Sequence, residues 1–142
     1  MHNRMNIEFL AKSENEALAR IVAAAFVTPL NPTIAEITDI KTAISEAVTN
    51  AIIHGYDGMD IEDEPLVQMS CEIRERRIYI EIRDCGRGIE DVERAREPLF
   101  TSKPEMERSG MGFTVMEEFM DSLEVVSIPH QGTTIKLSKQ LR

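Results

Sequence analysis

The chain has 142 residues, of which 42% are hydrophobic and 29% charged, with a formal net charge of −9. That length accommodates about one domain with one sizeable core, so a single domain spanning 1–142 is expected. No apolar run approaches the ~18 residues of a membrane span, Met1 to Asn6 show no leader pattern, and so excess negative a charge repels nucleic-acid phosphate; a cytoplasmic protein without membrane or direct nucleic-acid contact is expected.

In chain order, Ile7, Phe9 and Ala11 alternate and predict a strand over Asn6 to Ala11. Ser13-Glu14-Asn15-Glu16 has the form of a capping box, opening a helix to about Val27 ahead of Pro29. Ala17, Leu18, Ile21, Val22 and Ala25 share one face of that helix and are expected to be core, with Arg20 off the face and able to meet a protein partner. Thr33-Ile34-Ala35-Glu36 is a second capping box, starting a long helix that ends near His54 with Gly55 just past the end. Tyr56 to Pro65 reads as an acidic loop.

Val67, Met69, Cys71 and Ile73 alternate, as do Ile78, Ile80 and Ile82, with a hairpin turn at Glu75-Arg76-Arg77. Cys71 reads as a small buried hydrophobe, and with Cys85 it fits no metal or redox spacing. Glu90 to Arg108 is charged and mostly irregular, with a short helix around Val92 to Arg96. Gly112 to Met120 reads as helix, and Leu123 to Ser127 with Thr133 to Leu137 as a hairpin turned at Pro129-His130-Gln131-Gly132. This order predicts a two-layer α+β sandwich, with helices on one face of a mixed, mainly antiparallel sheet.

Three patches carry the chemistry. On the second helix, Ile37, Ile40, Ile44, Val48 and Ala51 form the stripe toward the sheet, while Glu46 and Asn50, one turn apart, share a flank. A carboxylate there can take a proton from a hydroxyl, and an amide oxygen suits a magnesium shell; read alone, the pair is equally a solvated flank. His54 fits a helix C-terminus, where it satisfies open carbonyls, in preference to direct ligand contact. Asp84-Cys85-Gly86-Arg87-Gly88 ends an alternating strand, and its carboxylate can accept from an exocyclic amine; the bland reading is an Asp-x-Gly surface turn. Arg108-Ser109-Gly110-Met111-Gly112 precedes a helix, where exposed amides make a phosphate site or merely a loop entering a helix. Lys103 and Arg108 add positive charge, and the long 90–109 connection has the character of a lid. No G-x-x-x-x-G-K-[ST] P-loop is present.

In order and spacing, these patches resemble the Bergerat-type ATP-binding family of DNA gyrase, sensor histidine kinases and bacterial anti-sigma-factor kinases, over about Thr42 to Thr134. Ser45 to Tyr56, Pro98 to Pro104 and Glu107 to Phe113 are similar to the branch that controls a sigma-F-type factor in sporulation, and the likeness extends to Arg4, Phe9 and Ser13 to Glu16. The resemblance implies a homodimer that binds and inhibits a sigma factor and phosphorylates a serine of an anti-anti-sigma protein with Mg-ATP, ADP being the product. It implies Glu46 as catalytic base, Asn50 as the magnesium-linked residue, and Asp84 and Thr133 near adenine. Gly86, Gly88 and Ile89 would form the base pocket. Thr101, Ser102, Lys103, Arg108, Ser109, Gly110, Met111 and Gly112, with Phe113 following, would belong to the lid and phosphate cradle, and His54 to the nucleotide's surroundings.

The segment Met59 to Pro65 is longer and more acidic than that family's usual loop. A sensor kinase is disfavoured because none of His2, His54 and His130 lies in a phosphoacceptor helix. A gyrase-like ATPase would need a further coupling domain. A related stress-response anti-sigma kinase and a non-catalytic ATP-dependent binding module remain the alternatives.

Overall fold

A computed structural model describes residues 1–56, 60–97 and 112–142. Strand β1 (His2–Leu10) leads into α1 (Glu14–Val27) and α2 (Ile34–Asn50), followed by the hairpin of β2 (Leu66–Arg74) and β3 (Arg77–Asp84). A short α3 (Val92–Ala95), α4 (Gly112–Phe119) and the hairpin of β4 (Ser122–Ile128) and β5 (Gly132–Gln140) complete the order. The sheet runs β1-β2-β3-β5-β4. All four pairings are antiparallel, so the parallel component that the sequence allowed is not used among the described residues.

The period-2 pattern explains the layers. Val67, Met69, Cys71 and Ile73 of β2 and Ile78, Ile80 and Ile82 of β3 are buried, joined by Ile135 and Leu137 of β5. Burial pushes the Cys71 thiol up to about 12, which keeps it protonated and inert. Helix α2 covers this face with Ile40, Ala43, Ile44, Ala47 and Val48, and α1 and α4 pack on either side of it. Register then fixes one consequence for function: Asp84, the last residue of β3, pairs with Val67 on one side and Thr133 on the other.

The Thr33 capping box forms as expected: Thr33 Oγ1 accepts from the Glu36 amide at 3.0 Å and Glu36 Oε1 from the Thr33 amide at 2.9 Å. The other box does not. Ser13 has helical dihedrals and makes no side-chain cap. Glu16 is drawn away to accept from the Ser45 hydroxyl of α2 and to pair with Arg20 Nε at 3.0 Å.

The inward face of α1 also differs from expectation. Ala19, Ala23 and Val27 are buried, with Val22 and Phe26 partly so, whereas Leu18 is 45% and Ile21 64% exposed and Ala25 is exposed too. Small alanines let α1 lie close on α2, which turns the bulkier stripe outward. Strand β1 starts four residues earlier than predicted because it pairs along all of β2, from His2 opposite Arg74. Helix α2 continues as a π-turn over Ala51–Gly55, so Gly55 closes a wide turn and does not follow the helix end.

These two caps make opposite predictions. In urea unfolding, Thr33→Ala is expected to cost about 1–2 kcal/mol, and Ser13→Ala less than about 0.5 kcal/mol. Equal losses would contradict the assignment.

Candidate functional site

The site is built around one carboxylate. Asp84 is buried at the end of β3, and burial raises its pKa to about 6, against the opposing pull of the Gly86 and Thr133 amides. The Gly86 amide donates to Asp84 Oδ1 at 2.9 Å. A Cβ at residue 55 would lie 2.9 Å from the Asp84 carboxyl, so the π-turn brings bare backbone against it. Such wide turns recur at functional sites.

The turn after Asp84 is clamped to that same π-turn. The Arg87 amide donates to the Gly55 carbonyl at 2.8 Å, and a Cβ at residue 86 would stand 1.9 Å from that carbonyl oxygen, so only glycine fits. Tyr56, buried next to Gly55, accepts from the Cys85 amide at 2.7 Å and donates to the Leu66 carbonyl at 2.5 Å. Its hydroxyl thus ties the Asp84 turn to the start of β2. On the far side of the turn, the Ile89 amide donates to Ser127 Oγ of β4 at 2.7 Å, and Ser127 Oγ lies 2.8 Å from Thr133 Oγ1.

Glu46 and Asn50 lie at the other end, where α4 begins. A Cβ at Gly112 would come 3.3 Å from Glu46 Oε2 and 3.4 Å from Asn50 Nδ2, so the glycine lets the α4 terminus settle against both side chains. Among the described residues, Asn50 Nδ2 is buried without a hydrogen-bond partner. An orphaned donor of that kind costs about 1–3 kcal/mol, and a phosphate or cation-shell oxygen would satisfy it. Asn50 therefore fits a magnesium-bound polyphosphate. The ion would contribute charge neutralisation of the phosphates.

Between these ends lies a cleft of about 560 Å³. It gathers the predicted Asn50, His54, Asp84, Gly88, Ile89, Gly112, Phe113 and Thr133. Gly86 is buried in the turn and does not line the cleft, and Glu46 lies beside Gly112. Thr101, Ser102, Lys103, Arg108, Ser109, Gly110 and Met111, with the lid expected over 90–109 beyond Glu97, lie outside the described residues. Arg20 is on α1, ion-paired to Glu16, and does not line the cleft. Sequence reasoning missed Arg87, Arg94 and His130 on the cleft wall, and Tyr56 and Ser127 behind it. Arg87 was legible only as the middle of Gly-x-Gly, and nothing in the local sequence marked the rest.

The buried carboxylate makes stability depend on pH. Between about pH 4 and 6 the folded chain keeps a proton on Asp84 that the unfolded chain releases, so stability falls as pH rises and the full cost is present above about 6. Asp84→Asn removes this cost. The variant is expected to be about 1–3 kcal/mol more stable than wild type at pH 8, with a smaller gain at pH 5. A difference independent of pH, read by urea unfolding, would refute it.

Comparison with known proteins agrees with this architecture. Residues 9–139 match the family model of the histidine kinase-like ATPase domain. The anti-sigma F factor of Clostridium perfringens (strain 13 / Type A) is 59% identical over 141 residues, covering 99% of each chain. That of Oceanobacillus iheyensis is 55% identical over 99% of this chain and 94% of the relative. Among solved structures, the RsbU and RsbW domains of Rv1364c from Mycobacterium tuberculosis superpose with a TM-score of 0.70 at 17% identity, over 98% of this chain and 32% of that longer one. The catalytic domain of the histidine kinase ThkA gives 0.59 at 15% identity over 96% of both chains. These two show the shared fold. The chain belongs to the histidine kinase-like ATPase domain family and, within it, to the anti-sigma F factors.

Proposed function

We propose that the chain, as a single domain over 1–142, uses Mg-ATP to phosphorylate a serine on an anti-anti-sigma protein, and that it holds a sigma-F-type factor inactive. The observation that carries the reading is the packing of Glu46 and Asn50 against Gly112 at one end of a cleft whose other end is Asp84. Support for the partners comes from relatives that are themselves anti-sigma F factors at 55–59% identity over nearly the whole chain.

In this reading Asp84 accepts from the exocyclic amine of adenine, with Thr133 beside it. Gly86, Gly88 and Ile89 shape the base pocket, and His54 and Phe113 lie alongside the nucleotide. Asn50 takes a place in the magnesium shell, and Gly112 opens the phosphate cradle. Thr101, Ser102, Lys103, Arg108, Ser109, Gly110 and Met111 complete the lid and cradle. Glu46 accepts the proton of the substrate serine as the serine oxygen bonds to the γ-phosphorus and ADP departs, so charge does not build on the attacking oxygen.

Outside the cleft, α1 leaves Leu18 and Ile21 exposed, and exposed apolar side chains on one helix favour protein docking. Arg20 is the candidate contact for a protein partner, and the working unit is a homodimer in the cytoplasm. None of the described helices is long and apolar enough to cross a membrane.

Transfer from γ-labelled ATP to the anti-anti-sigma protein tests the reading. Glu46→Gln is expected to keep ATP affinity within about twofold and to lose at least about a hundredfold in transfer rate. Transfer at the wild-type rate would remove Glu46 as base.

A further inference from the structure

Ser127 lies on β4, behind the cleft wall, yet it touches both halves of the base end. Among the described residues its Oγ has three polar neighbours: the Ile89 amide at 2.7 Å, Thr133 Oγ1 at 2.8 Å and the Gly132 carbonyl at 3.2 Å. A serine hydroxyl has one hydrogen and two lone pairs. The Ile89 amide can only donate, so it occupies one lone pair. The Gly132 carbonyl can only accept, so it takes the hydrogen. Thr133 must then donate its own hydroxyl hydrogen to the remaining lone pair. No other arrangement makes all three bonds.

Thr133 lines the cleft, and its register partner across β3 and β5 is Asp84. With its hydrogen committed to Ser127, Thr133 turns only lone pairs toward the ligand, beside a carboxylate that is also acceptor-only when ionised. We infer that Ser127 is a positioning residue which fixes the hydroxyl polarity of Thr133 and anchors Ile89, so that the base end selects a 6-amino over a 6-oxo purine. The inference rests on the reading of this cleft as the adenine pocket. An amino group at that place meets acceptors with donors. A 6-oxo group in the same pose sets lone pairs against lone pairs, and unpaired buried polar groups are what make such discrimination large.

Calorimetric titration of the full chain with Mg-ADP and Mg-GDP tests it. Wild type is expected to prefer Mg-ADP. Ser127→Ala frees the Thr133 hydrogen and unpairs the Ile89 amide, lowering ADP affinity about five- to tenfold and narrowing the ADP-over-GDP ratio by a similar factor. Ser127→Thr, which returns the hydroxyl, is expected to recover most of both losses. Thr133→Val alone should also narrow the ratio, and adding Ser127→Ala to it should change the ratio by less than about twofold. Thr133→Val keeps the test open should Ser127→Ala fail to fold. The inference is overturned if Ser127→Ala leaves the ratio at the wild-type value, if it narrows the ratio equally in the Thr133→Val background, or if Thr133→Val alone leaves the ratio unchanged. Wild type binding both nucleotides equally would overturn it and leave the nucleotide pocket standing, whereas binding neither would overturn the pocket as well.

Discussion

The structure depends on holding one carboxylate, Asp84, out of water at the end of a central strand. Its shift from 3.8 to about 6 corresponds to about 3 kcal/mol of preference for the neutral form. The fold tolerates that cost because backbone amides from Gly86 and Thr133 point at the carboxyl. To aim them there, three chain segments must meet with backbone against backbone: the π-turn after α2, the turn after β3 and the start of β5. Glycines stand where they meet. A carboxylate placed at this cost, in a cleft, is poised for a ligand that supplies hydrogen-bond donors.

Helix α2 is what makes the rest coherent. Its buried stripe seats it on the sheet, its flank carries Glu46 and Asn50, and its π-turn end clamps the Asp84 turn through Gly55 and Tyr56. The two ends of the cleft are therefore positioned by a single rigid element, started by the Thr33 capping box. Displacement of that helix would move both ends of the cleft together. Helix α1 is coupled to it through Glu16, which bridges Ser45 and Arg20 one residue away from Glu46. A protein engaging Arg20 would therefore be connected to the Ser45–Glu46 stretch of α2 through two side chains.

Much of this was legible from residue order because the signals were local. The Thr33 box, the period-2 strands, the Asp84 turn and the start of α4 at Gly112 are each defined within a few residues, and the structure brings Asn50, Asp84, Gly112 and Thr133 into one cleft. What was not legible is non-local. Ser13 and Glu16 have the spacing of a capping box, but Glu16 finds a partner 29 residues away on another helix. Helix α1 has two apolar faces, and close helix packing selected the alanine-rich one, which hydrophobicity alone ranks second. Tyr56 and Ser127 act on backbone amides 29 and 38 residues away, so no spacing rule could identify them.

The central claim is that Asp84 and the Glu46–Asn50 flank are opposite ends of one Mg-ATP site. A crystal structure of the chain with magnesium and a non-hydrolysable ATP analogue tests it most directly. The account predicts the adenine amine within hydrogen-bonding distance of the Asp84 carboxyl and the polyphosphate running toward Asn50 and Gly112. Adenine bound away from Asp84, or phosphates directed away from α2, would contradict it.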